Sequence, residues 1–129
     1  MQSYLWVATG SALGGVVRHW CSVAGVRLLG ETFPWATLFV NVTGSLLIGI
    51  IAALIARDGR IPATTARDFL MVGVLGGFTT FSAFSLQTLQ LMQTERWLHA
   101  GLYIAASVLL CLIAVWAGYV AALSLNGIK

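Results

Sequence analysis

The chain has 129 residues, 59% of them hydrophobic and only 9% charged, with a formal net charge of +3. A soluble domain carries about 25% charged residues, so this composition excludes a water-facing globule and points to an integral membrane protein of one domain, residues 1–129. The seven basic residues are scattered, with no patch and no interleaved aromatics, which excludes a nucleic-acid partner.

The first apolar segment covers residues 3–29. It has no basic leader and is too long for the core of a secretory signal. Gly10 and Gly14 form a small-xxx-small pair suited to close helix packing. Arg18 interrupts the segment and His19 follows it. A basic residue inside a span is costly and points to function, although its long stem also lets it reach the interface. Gly30 supplies a helix stop, Glu31-Thr32-Phe33 a short turn, and Pro34 suits the first turn of the next helix.

The second segment, residues 35–56, spans roughly 33 Å as a helix, one bilayer crossing. Its one strongly polar interior residue is Asn41, which reads either as a donor into a path or as glue between helices. Asn41-Val42-Thr43 has the form of a glycosylation sequon, a coincidence inside a span. Cys21 and Cys111 both lie in apolar segments and read as small apolar fillers, not as disulfide partners or metal ligands.

Arg57 to Thr64 is the most polar stretch. Thr65 and Asp68 then have capping-box spacing, which starts the third segment near Ala66. Running over residues 66–93, a straight helix would be roughly 42 Å long, against a hydrocarbon core of about 30 Å. The excess predicts a bent or broken element, and the poor helix formers Gly76 and Gly77 mark the expected break, near the membrane midplane. Non-helical backbone at that depth is tolerated only inside protein or beside a water-filled cavity. The hydroxyls of Thr79, Thr80, Ser82 and Ser85 are spaced to line such a cavity, and Phe81 and Phe84, three apart, share one helix face. After the turn Thr94-Glu95-Arg96-Trp97, the fourth segment covers residues 98–125 and ends at Asn126-Gly127. These long runs do not alternate, which rules out barrel strands. The expected fold is therefore all-α, with four transmembrane helices and the third one broken.

The stretch Gly76-Gly77-Phe78-Thr79-Thr80-Phe81-Ser82-Ala83-Phe84-Ser85 resembles the signature of the Fluc (CrcB-type) fluoride channels. Gly14-Gly15-Val16-Val17-Arg18, Thr37-Leu38-Phe39-Val40-Asn41 with Gly44, and Tyr103 with Ser107 fit the same family. The resemblance implies an antiparallel, dual-topology homodimer with two fluoride pores, in a bacterial inner membrane, giving passive efflux of cytoplasmic fluoride. Carried over by motif, Asn41, Phe81 and Phe84 line the pores, Arg18 serves the vestibule, and Tyr103 and Ser107 flank the polar path. The resemblance also implies a structural sodium ion on the two-fold axis, held by the backbone carbonyls of Gly76 and Thr79 from both subunits. Ala83 departs from the pattern, standing where many relatives carry a hydroxyl residue.

The polar residues support the same direction independently. Helix rise puts Arg18, Asn41, Gly76 to Thr80, Tyr103 and Ser107 at similar depths from four segments. Glu31, Asp58, Asp68 and Glu95 all sit at loops or span edges, so no carboxylate is available for a cation or proton path. An Arg, hydroxyls, an amide and aromatic edges suit an anion, because ring edges carry the positive end of the quadrupole. Thr80, Ser82, Ser85, Tyr103 and Ser107 would then replace the hydration of a small anion. A four-span multidrug exporter is the alternative, but it needs an acid in the first segment, where this chain has Arg18. A structural subunit of a membrane complex is the other alternative, and it predicts no transport by the purified protein. An enzyme is not expected, since no nucleophile–base pair or metal-ligand cluster stands out. Arg57, Arg60, Arg67 and Lys129 on one side against Arg27 and Arg96 on the other form a weak bias, compatible with insertion in both orientations.

Overall fold

The computed structural model describes residues 1–58 and 66–125, and they are helical except for short connections. The polar loop after Asp58, the expected cap at Thr65 and the expected helix stop at Asn126-Gly127 lie outside the described residues. Helix α1 is Gln2–Leu29 and α2 is Trp35–Asp58. Helix α3, Ala66–Leu75, is wound as a π-helix and continues through a single α-helical turn, Gly76–Phe78. Helix α4 is Phe81–Gln93 and α5 is Trp97–Leu125. Trp35–Ala56, Arg67–Gln93 and Trp97–Ser124 are long and apolar enough to cross a membrane, whereas α1, interrupted by Arg18 and His19, does not reach the same apolarity. The chain is thus a multi-pass helical membrane protein, with the π-winding of α3 a feature its sequence did not announce.

Local chemistry explains the boundaries. Gly30 takes a positive φ of 76° and its N–H closes α1 on the Val26 carbonyl at 2.9 Å. Pro34 falls just ahead of the first residue of α2, and its carbonyl accepts from Leu38 N–H at 3.2 Å. The end of α4 is a Schellman closure: Glu95 N–H donates to the Met92 carbonyl at 3.0 Å, and Arg96 N–H to the Leu91 carbonyl at 2.9 Å. The residue in the left-handed position is Glu95, φ 58°, where glycine is usual.

Packing follows small residues, because apolar surface alone does not drive helices together in lipid. Helix α1 lies along α3, and α2 along α5. A Cβ on Gly10 would come within 2.9 Å of Gly73 Cα, and one on Gly14 within 2.8 Å of Phe78 N, so the first pair is held at backbone contact. Gly49 and Gly118 play the equivalent part between α2 and α5. The Ser3 hydroxyl donates to Asp68 Oδ2 at 2.6 Å and ties the start of α1 to the start of α3. A cluster of Leu38, Phe84, Leu91, Ala100 and Tyr103 fills the space where α2, α4 and α5 meet. The outward faces, including Trp20, Leu109, Leu112, Ile113 and Trp116, are apolar and exposed, as a lipid-facing surface requires.

Candidate functional site

The break in the third segment is real but lies beyond the glycine pair. Gly76 and Gly77 are helical; the residues that leave the helix are Thr79, with ψ 159°, and Thr80, at φ −153° and ψ 116°. The expectation that the glycines themselves unwind is therefore corrected. Gly77 is needed for approach, since a Cβ there would come within 2.6 Å of the Ser11 carbonyl oxygen. Gly76 has open space around it, the nearest atom to such a Cβ being Met71 O at 3.7 Å.

The extended residues are held by side chains. Asn41 Nδ2 donates to the Thr80 carbonyl at 3.1 Å, and Thr80 N–H donates to Asn41 Oδ1 at 2.8 Å. Ala83 N–H donates to the Thr80 hydroxyl at 3.2 Å, so Thr80 caps α4. The Thr79 hydroxyl donates back to the Leu75 carbonyl at 2.9 Å. Arg18 Nε donates to the Gly77 carbonyl at 3.1 Å. Arg18, read from the sequence as a vestibule cation, thus fastens α1 to the break while the other nitrogens of its guanidinium keep their donors. Among the described residues, the carbonyls of Gly76 and Thr79 accept no side-chain hydrogen bond and no backbone hydrogen bond from outside the helices. Oxygen donors of this kind, without a thiolate or imidazole among them, fit a hard cation.

A cavity of about 430 Å³ opens beside the break. It brings together Asn41, Gly76, Thr79, Thr80, Phe81, Phe84 and Ser107. No acidic side chain lines it. The Ser107 hydroxyl is buried there and makes no hydrogen bond, although the residue is only 7% exposed. A buried polar atom without a partner is costly and calls for a water or a ligand. The rings of Phe81 and Phe84 are 5.3 Å apart and tilted by 48°. Phe81 is 77% exposed, whereas Phe84 is 9% exposed and packs on Tyr103 at 5.1 Å.

Other expected site residues stand apart from this cavity. Tyr103 is fully buried behind Phe84 and donates its hydroxyl hydrogen to Gln87 Oε1 at 2.9 Å. Ser82 pairs with the Thr80 hydroxyl at 3.3 Å on the exposed side of the break. Ser85 returns its hydrogen bond to the Phe81 carbonyl at 2.9 Å. Gln87 is a site residue that composition does not flag, and the signal that points to it is its position three residues after Phe84 on the stripe that Phe81 begins. It lines a second cavity of about 450 Å³, with Thr37, Gln90, Thr94 and Arg96, near the turn between α4 and α5.

The chain matches a family model described as "CrcB-like protein, Camphor Resistance (CrcB)" over residues 5–119. It is 54% identical over 127 residues to a protein of Paramagnetospirillum magneticum named "Fluoride-specific ion channel FluC", covering 98% of this chain and 99% of that one. Proteins of the same name from Opitutus terrae and Methylocella silvestris are 52% and 49% identical, over 130 and 127 residues. The first match covers 100% of this chain and 98% of the relative, the second 98% and 97%.

Proposed function

The chain belongs to the CrcB-like family, a family of ion channels and not of enzymes, and from that premise we propose that it is a fluoride-selective channel giving passive efflux of fluoride from the cytoplasm across a bacterial inner membrane. The observation that carries this reading is the unpartnered Ser107 hydroxyl, buried in a cavity that Phe81 and Phe84 face and that no carboxylate enters. Fluoride is small and strongly hydrated, so its path must offer donors in place of water. Ser107, the second amide hydrogen of Asn41 and the ring edges of Phe81 and Phe84 are the donors we assign to it. Tyr103 and Gln87 continue the polar path toward the second cavity, and Arg18 raises the local anion concentration near the break. Ser82 and Ser85, exposed on the same helix, are assigned to the flank of the path.

The working unit we propose is an antiparallel homodimer of chains that each cross the bilayer four times. An aromatic ring as exposed as Phe81, beside a cavity at the break, suits burial under a second copy. Two copies would bring the Gly76 and Thr79 carbonyls together on the two-fold axis as a four-oxygen site for a sodium ion. Sodium there would satisfy carbonyls left by the break and supply positive charge between two anion paths. The residues keep their own tasks without it: Asn41 holds the break, Arg18 anchors it, and Ser107 donates.

The test is fluoride efflux from liposomes holding the purified protein, read with a fluoride electrode. Efflux with chloride retained is the expected result. Liposomes as tight to fluoride as protein-free ones overturn the reading and favour a structural subunit.

A further inference from the structure

The first cavity also contains two sulfur atoms for which anion conduction has no use. Cys111 lies one helical turn beyond Ser107 on α5, so the two share a face, and both line the cavity. Cys111 is a half-buried free thiol, and the neighbouring Ser107 oxygen is buried and unpartnered. The Met71 thioether of α3 lines the same cavity. Cys21 provides a contrast: its cavity is walled by apolar side chains such as Leu38, Phe39 and Val42 and holds no hydroxyl or second sulfur. Reading both cysteines as apolar fillers therefore misses a difference that only the cavities reveal. Thiolate and thioether donors select soft monovalent cations.

We propose that this cavity is a binding site for a soft monovalent cation, silver or cuprous copper, held by the Cys111 thiolate with Met71 and Ser107 as the further donors, and that its occupancy blocks conduction. In the binding step the Cys111 S–H bond breaks, its proton passes to the buffer, and a sulfur–metal bond forms with no change of oxidation state. The resulting metal thiolate is neutral, so no uncompensated charge is left in the membrane interior. Block rests on the reading of the cavity as the fluoride path; binding does not.

Silver nitrate titrated into the purified protein in chloride-free detergent buffer, followed by calorimetry, tests the binding. Wild type and Cys21→Ser bind silver tightly, while Met71→Leu weakens binding about tenfold and Cys111→Ser weakens it more. Affinity equal to wild type in both Cys111→Ser and Cys111→Ala overturns the site. In liposomes, micromolar silver is expected to stop fluoride efflux through wild type and Cys21→Ser, with recovery on adding dithiothreitol, and to leave Cys111→Ser conducting. Binding at Cys111 with efflux unaffected overturns the block. Liposomes that pass no fluoride before silver is added overturn the channel reading, and the titration still decides the site.

Discussion

Asn41 and Thr80 pair as two strands of a sheet would. The amide of Asn41 takes both the N–H and the C=O of Thr80, the second of the two extended residues in the third segment, at 2.8 and 3.1 Å. This lets a helix break persist where water is scarce. Asn41→Ala leaves a donor and an acceptor without partners, which costs about 1–3 kcal/mol for each group. A fall in the melting temperature of the detergent-solubilised protein is expected, with Asn41→Asp worse than Asn41→Ala because it adds a charge. A melting temperature equal to wild type in Asn41→Ala would show that another group holds Thr80.

The two glycines at the end of α3 should respond differently to the same substitution. Gly77→Ala places a methyl against the Ser11 backbone and forces α1 and α3 apart. Loss of folded protein on size-exclusion chromatography is the expected outcome. Gly76→Ala meets nothing closer than 3.7 Å and should fold. Equal yields of folded protein from both variants would contradict the close approach of α1.

The two phenylalanines separate chemistry from packing. Phe81 is exposed in the protomer, so Phe81→Ile should leave the protomer fold unchanged while removing the ring quadrupole. Fluoride efflux is expected to fall by about fivefold, from the loss of roughly 1 kcal/mol of ring-edge attraction. Phe84→Ile should lower efflux similarly and also loosen the contact with Tyr103, so its melting temperature drops as well. Wild-type efflux in both variants would reduce these rings to packing.

Glu95 occupies a left-handed conformation that a side chain disfavours. Glu95→Gly should keep both closing hydrogen bonds to Met92 and Leu91 and raise stability by about 1 kcal/mol. The check is a thermal melt of the two proteins side by side. A lower melting temperature for the glycine variant would assign Glu95 a favourable contact that outweighs its backbone strain.

The order of helices, their all-α character and three of their apolar spans follow from the sequence, because in lipid the backbone must satisfy itself within each segment and apolar length records that need directly. Gly10 and Gly14 were legible as a packing face for the same reason: close approach in a membrane requires small residues at fixed spacing. Sequence also marked Asn41, Thr80 and Ser107 as polar residues at matching depth and Phe84 as sharing a helix face with Phe81, and these do share a cavity. Tertiary structure decided the rest. The break moved from Gly76-Gly77 to Thr79-Thr80, because the extended backbone is held by an amide 39 residues away and propensity alone cannot report such a partner. The engagement of Arg18 with Gly77, of Tyr103 with Gln87, and the difference between Cys111 and Cys21 depend likewise on which helix faces meet. Rotation of a helix about its own axis leaves its composition unchanged, so facing is fixed only when the neighbouring backbones come into contact.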